Sequence, residues 1–143
     1  RPGEYDPGAY DAAAHNRRKR REMWAALEEL FDQKLALAIG VSNFSRRHLE
    51  QLMEDGARVV PHVNQVEVHP YLAQEPLVEF CRLHDIVVTA YSPLGRGTSV
   101  ARQVSPLLDP VVVEMAQDRG CSPAQLILRW LLQRGVAAIP KSA

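Results

Sequence analysis

The 143-residue sequence contains no apolar run that approaches the roughly 18 residues of a membrane-spanning helix. It also has no charge imbalance, because 17 Lys and Arg residues offset 17 Asp and Glu residues. A protein that binds nucleic acid or an anionic membrane through its overall charge is therefore not indicated. We expect neither nucleic acid nor a membrane among its partners.

Cysteine is scarce, since only Cys81 and Cys121 are present and they form no paired motif. Free thiols in a reducing compartment are favoured over a disulfide between them.

The chain begins without Met and without a signal-like segment, and it ends directly after an apolar stretch. These features predict a cytoplasmic protein and indicate a piece of a longer polypeptide. No metal site is predicted.

Four short apolar stretches predict the strands of one sheet. Each is followed by small polar or aromatic residues, and they cover about 37–41, 62–68, 86–90 and 136–139. The stretch at 86–90 is continuously apolar, which is typical of a buried strand in a parallel sheet. Polar residues that follow parallel strands lie at the sheet edge where α/β folds bind ligands.

Helical patterns separate these strands. Ser45 and Asp109 are predicted N-caps, and Ser122 with Gln125 forms a capping-box pattern. Apolar residues recur at helical spacing over about 22–33, 46–54, 76–84, 110–120 and 123–134.

A basic run, RRKRR at 17–21, precedes the first helix. It is either a nucleic-acid or nuclear-import patch or a solvated entry into the helix, and the absence of an accompanying aromatic platform favours the second. Five cations at a helix N-terminus oppose the helix dipole. We therefore predict that residues 1–21 are loop and basic run, that the helix begins near Glu22, and that the folded unit covers 22–143.

Strands that alternate with helices predict right-handed crossovers and a parallel sheet. The sheet is either open and doubly wound or part of a barrel. No G-x-G-x-x-G follows any strand, so the phosphate loop of a dinucleotide-binding doubly wound domain is missing. A complete (β/α)8 barrel takes about 250 residues, so four strands are about half of one.

Four motifs at the strand ends resemble the aldo-keto reductases, a family of NADPH-dependent (β/α)8-barrel oxidoreductases. WAALEEL at 24–30 also resembles the helix before the first of them. The motifs are IGVSNF at 39–44, NQVEVHPY at 64–71, TAYSPLG at 89–95 and IPKS at 139–142. The resemblance implies an α/β fold with strands five to eight of a partial (β/α)8 TIM barrel, over about 22–143. Leu37, Arg96 and Thr98 depart from the residues that the family or some of its members carry at those positions.

The resemblance also implies an NADPH/NADP+ site. Tyr91 would stack on the nicotinamide ring, and Ser42, Asn43 and Gln65 would hold its carboxamide. The backbone from Ser92 to Gly97 would pass the pyrophosphate, and a lysine with a serine would meet the 2′-phosphate, which favours NADPH over NADH. The candidate cofactor-binding residues are Ser42, Asn43, Gln65, Tyr91, Ser92, Leu94, Lys141 and Ser142.

Each of these roles has a structural alternative. Tyr91 could be a core aromatic residue, Asn43 and Gln65 could be ordinary buried amides, and Lys141 could be a solvated lysine. His69, which precedes Pro70, is interpreted as a structural or surface residue.

No catalytic residue is assigned in this sequence. The family's catalytic Asp, Tyr, Lys and His come from the first half of the barrel. The resemblance therefore implies a reductase of aldehydes or ketones whose catalytic half lies elsewhere, acting on a small-molecule carbonyl substrate as a monomer or weak oligomer. The alternative is a truncated or non-catalytic paralogue that uses the fold for binding or structure.

Overall fold

Helices alternate with strands along the chain in a computed structural model that describes residues 12–95 and 105–141. A short 3₁₀ helix, Pro106–Leu108, precedes the last two helices. The helices are α1 Ala12–Asp32, α2 Arg46–Glu54, α3 Glu75–Leu83, α4 Pro110–Asp118 and α5 Pro123–Gln133. The strands are β1 Gly40–Ser42, β2 Val63–Glu67, β3 Val87–Tyr91 and β4 Ala137–Ile139.

The four strands form one parallel sheet in the order β1-β2-β3-β4. In β2 the buried residues Asn64 and Val66 alternate with the partly exposed residues Val63, Gln65 and Glu67. The same alternation occurs in β3, so the described helices cover only one face of the sheet. A doubly wound sheet has helices on both faces. The predicted α/β class is confirmed, and the architecture is that of a partial (β/α)8 barrel.

The core lies between the covered face of the sheet and the helices. Its fully buried members include Leu49 of α2, Cys81 of α3, Ala90 of β3 and Leu131 of α5. A second apolar cluster forms around Trp24 of α1, which is 1% exposed and donates its Nε1–H to Val59 O at 3.0 Å. The two clusters attach the helical layer to one face of the sheet, and no described helix covers the opposite face.

The first helix begins earlier than its charge pattern predicts. The predicted loop through residue 21 is wrong from Ala12 onward, because α1 starts there and contains the whole basic run. The reason is tertiary pairing: Arg17 makes two hydrogen bonds to Asp55, at 2.6 and 2.8 Å, and Arg20 donates to Gln51 Oε1 at 2.9 Å. The C-terminal end of α2 thus offsets charges that would destabilise an isolated helix. Residues 1–11 lie outside the described part of the chain.

The predicted helix caps are confirmed. Ser122 Oγ accepts from Gln125 N at 3.2 Å, and the Gln125 side chain accepts from Ser122 N at 2.8 Å. Ser45 and Asp109 cap α2 and α4.

The observed strand bounds differ from the predicted ones by at most three residues. The largest difference is at β1, because Leu37 was predicted to lie in this strand but precedes it and is 95% exposed. Within the described residues, no helix has both the length and the apolar character needed to cross a membrane.

Gly40→Ala is expected to destabilise the sheet by about 1–3 kcal/mol, the usual cost of overpacking. A Cβ at Gly40 would lie 2.7 Å from Val63 O, and that carbonyl belongs to the backbone of the paired strand β2. Strand β1 would have to move away from β2. A thermal melt of the variant should show a lowered midpoint, and an unchanged midpoint would contradict this account of the close approach.

Candidate functional site

The carboxyl ends of the strands meet at one edge of the sheet, and β1 is joined to β2 there by two hydrogen bonds. Ser42 Oγ donates to Gln65 O at 3.1 Å, and Asn43 N donates to the same carbonyl at 2.9 Å. Ser42 is also the register partner of Gln65. Three of the predicted site residues are therefore neighbours at this edge.

Tyr91 reaches across β2 to the end of β1. Its hydroxyl donates to Asn43 Oδ1 at 3.0 Å, although β1 and β3 are not adjacent strands. Asn43 has a φ of 58°, a left-handed conformation that asparagine tolerates better than most residues. The bond uses one of the two lone pairs of the Asn43 amide oxygen, so this side chain still offers a ligand its N–H groups and one acceptor position.

The ring of Tyr91 is partly exposed, and it belongs to neither apolar cluster. Its register partners are Glu67 on one side and Ile139 on the other. The ring therefore lies beside Asn43, on the face of the sheet that the described helices do not cover.

The segment after β3 turns sharply. Ser92 has a φ of 47° and Gly95 a φ of 78°, and Gly95 N donates to Ser92 O at 2.9 Å. The Leu94 side chain packs against the main core, so only its backbone could serve a ligand. A Cβ at Gly95 would lie 2.7 Å from Pro106 Cδ, which explains the glycine. The rest of the predicted pyrophosphate stretch, 96–97, lies outside the described residues.

Lys141 is exposed two residues beyond the end of β4, at the same edge of the sheet. Its predicted companion Ser142 lies outside the described residues. The structure therefore brings together Ser42, Asn43, Gln65 and Tyr91, places Ser92 in the turn that follows Tyr91, and leaves Lys141 exposed just beyond the end of β4.

Two residues at this edge, Glu67 and Gln74, were not predicted to be site residues. Together with Asn43 and Tyr91 they line a cavity of about 270 Å³. Gln74 Nε2 donates to Glu67 O at 3.2 Å, and Glu67 Oε1 lies 3.8 Å from His69 Nε2. The two-residue alternation of β2 could have identified Glu67, because it places Glu67 on the same face as Gln65.

A hydrogen bond fixes the loop that follows β2. Tyr71 donates its hydroxyl to Asp109 Oδ2 at 2.5 Å, which joins the loop after β2 to the N-terminus of α4. The hydrogen bond to Asp109, helped by partial burial, raises the pKa of Tyr71, and the same bond lowers the pKa of Asp109. Asp109 also accepts from Val111 N at 2.9 Å, so one carboxylate both caps the helix and holds the loop.

Comparison with known proteins decides the family. The model of the Aldo/keto reductase family matches residues 2–143. The chain belongs to this family. An aldo/keto reductase of Synechocystis is 48% identical over 124 residues, which cover 83% of this chain and 38% of the relative. The 9,11-endoperoxide prostaglandin H2 reductase of Trypanosoma cruzi is 45% identical over 121 residues, 85% of this chain and 41% of the relative.

A third aldo/keto reductase relative extends over almost all of the chain. The NAD(P)H-dependent D-xylose reductase of Pyricularia oryzae is 42% identical over 151 aligned residues, which cover 97% of this chain and 46% of the relative. The chain thus spans less than half the length of the curated aldo/keto reductases that it matches. The four motifs at the strand ends predicted membership of this family, and the comparisons confirm it.

Proposed function

We propose that this chain is the cofactor-binding half of an NADPH-dependent reductase that converts aldehydes or ketones to alcohols. The observation that carries the proposal is the Tyr91–Asn43 hydrogen bond, which holds a partly exposed aromatic ring beside amide groups at the carboxyl edge of a parallel sheet. Family membership and the reductase names of the relatives support an oxidoreductase. The catalytic acid and its partners would come from residues outside this sequence.

The chemistry of the site fits a nicotinamide. Its carboxamide needs both donors and acceptors. The Asn43 and Gln65 amides offer both kinds, whereas Ser42, whose hydroxyl proton is donated to Gln65 O, offers an acceptor. Its flat ring needs an aromatic surface on one side, and Tyr91 offers one that the described helices do not cover. When bound, the reduced nicotinamide supplies a hydride to a carbonyl carbon. The role of this chain is to orient that ring with one face toward the substrate.

Lys141 is proposed to select NADPH over NADH. A cation at the end of β4 would pair with the 2′-phosphate, which NADH lacks, and Ser142 would add a hydroxyl. Phosphate sites in barrels of this kind form near the ends of the last two strands. The exposure of Lys141 leaves its ammonium group open to such a ligand.

Lys141→Met is expected to weaken NADPH binding about tenfold, or about 1.4 kcal/mol, and to leave NADH binding unchanged. Both affinities would be measured by titration of nicotinamide fluorescence with the full-length polypeptide that carries this sequence. Lys34→Met is the matched control, because Lys34 is another exposed lysine, at the end of α1 and away from the strand ends. Equal loss for both cofactors would remove Lys141 from the phosphate site.

Turnover distinguishes the proposed reductase from a protein that only binds the cofactor. The full-length polypeptide would be mixed with NADPH and a panel of aldehydes and ketones, and the loss of NADPH absorbance would be followed. Consumption that depends on the carbonyl compound is the expected result. Tight NADPH binding without consumption would indicate the non-catalytic alternative.

A further inference from the structure

A groove of about 480 Å³ lies between α4 and α5, on the helical layer of the fold. None of the residues that line it is a cofactor-binding candidate. Its apolar walls are formed by Pro70, Val112, Met115, Leu126, Ile127 and Trp130. The volume is within the range of pockets that hold small organic ligands, about 300–1,000 Å³.

Helical spacing creates the two walls. Val112, Met115 and Arg119 follow one another at three- and four-residue intervals on α4 and just beyond it, so they share a face. On α5 the same spacing aligns Leu126 with Trp130. Met115 is 40% exposed although its neighbours are apolar, so the groove presents apolar surface to solvent.

Two arginines, Arg119 and Arg129, also line this groove. Arg119 and Arg129 are both exposed, and neither forms an ion pair with any described residue. Arg119 Nη1 donates to Met115 O at 3.1 Å, which holds its guanidinium near the groove while its other N–H groups remain available. The acidic residues of α4, Glu114 and Asp118, do not line the groove. The local charge is therefore positive next to an apolar surface.

A third guanidinium fixes the aromatic wall. Arg134 stacks over the Trp130 ring with its Cζ 4.5 Å from the ring centroid, and it donates to Ala73 O at 3.0 Å. These two contacts attach the α5 side of the groove to the loop after β2. A preformed aromatic wall lowers the conformational entropy that the site itself loses when a ligand binds.

We propose that the groove is a binding site for small amphipathic carboxylates, such as medium-chain fatty acids or aryl carboxylates. The apolar body would lie against Met115 and Trp130, and the carboxylate would pair with Arg119 or Arg129. The size of the groove favours a small molecule over a folded protein segment. The inference is independent of the proposed reductase activity.

Methionine methyl groups offer a local readout. The sequence contains three methionines, and Met23 on α1 and Met53 on α2 lie outside the groove and serve as internal references. The full-length polypeptide would carry ¹³C-methyl methionine, with Met115 assigned by Met115→Leu, and would be titrated with decanoate. We expect a saturable shift of the Met115 methyl signal and none at Met23 or Met53.

The charge requirement is tested with variants and with a ligand of opposite charge. Arg119→Gln combined with Arg129→Gln should weaken decanoate binding at least tenfold, whereas Arg47→Gln, an exposed arginine of α2, should not change it. Decylammonium should leave the Met115 signal unmoved. The proposal is overturned by an equal response to decylammonium, by an unchanged affinity in the double variant, or by a Met115 signal that does not move.

Discussion

Glu28→Ala is expected to lower the free energy of unfolding by roughly 3–5 kcal/mol, the usual cost of removing one partner from a buried charged network. Glu28 lies on α1 and is 1% exposed. Its Oε1 accepts from Arg58 N at 2.6 Å and from Val59 N at 3.0 Å, and its Oε2 lies 3.3 Å from Arg21 Nη1. One carboxylate thus fastens the loop between α2 and β2 to the first helix.

The loss of stability in Glu28→Ala comes mainly from the backbone N–H groups that Glu28 leaves without an acceptor. Without Glu28, two backbone N–H groups lose their acceptor, and an unsatisfied buried donor costs about 1–3 kcal/mol. Glu29→Ala is the matched control, because Glu29 is exposed on the same helix and should change stability little. Urea unfolding of the full-length polypeptide would measure both variants. Equal losses would contradict the network account, because alanine is the stronger helix former and helix propensity alone would not lower stability in either variant.

The stabilisation by Glu28 should depend on pH. Burial alone raises the pKa of this carboxyl, but the N–H groups of Val59 and Arg58 and the charge of Arg21 outweigh burial, and the net pKa lies below the ordinary 4.5. The unfolded chain therefore binds the proton more readily than the folded chain. The advantage of wild type over Glu28→Gln should be full above 4.5 and should shrink as pH falls through the lowered pKa.

Tyr91→Ala is expected to weaken NADPH binding roughly 10–100-fold, since stacking on an aromatic side chain is worth about 1–3 kcal/mol. The ring is the largest apolar surface among the candidate cofactor residues, and its hydroxyl also holds Asn43. Tyr91→Phe keeps the ring and removes only the hydrogen bond, so its loss should be several-fold at most. Titration of nicotinamide fluorescence would measure both variants.

The two variants separate the two contributions of Tyr91. A loss in Tyr91→Phe as large as that in Tyr91→Ala would assign the effect to the orientation of Asn43. An unchanged affinity in Tyr91→Ala would remove this residue from the cofactor site and would contradict the proposed function. Thermal melts of both variants would show whether any loss comes from unfolding.

The features that the sequence predicted correctly depend on neighbours in the chain. The capping box of α5 needs only Ser122 and a glutamine three residues later, so local spacing was enough to identify it. The start of α1 depends on Arg17 and Asp55, which are 38 residues apart. Charge repulsion within the basic run was visible in the sequence, but the distant carboxylate that offsets it was not.

The candidate site also combines features that depend on residues close in sequence with a contact that depends on distant ones. The polar residues that end β1 and β3 marked the edge of the sheet, because strands and their ends follow from short-range patterns. The hydrogen bond between Tyr91 and Asn43 joins residues 48 positions apart and passes over a third strand. Its existence depends on how the strands are arranged across the sheet. Motif resemblance named both residues, but their contact became visible only in the fold.

The order of the strands also bears on how the protein is made. Within the described sheet, each strand pairs with the strand that comes directly before or after it in the chain. As the ribosome releases the chain, β2 therefore finds β1 already available, and β3 and β4 each find their predecessor. The sheet can grow during synthesis by one helix and strand at a time.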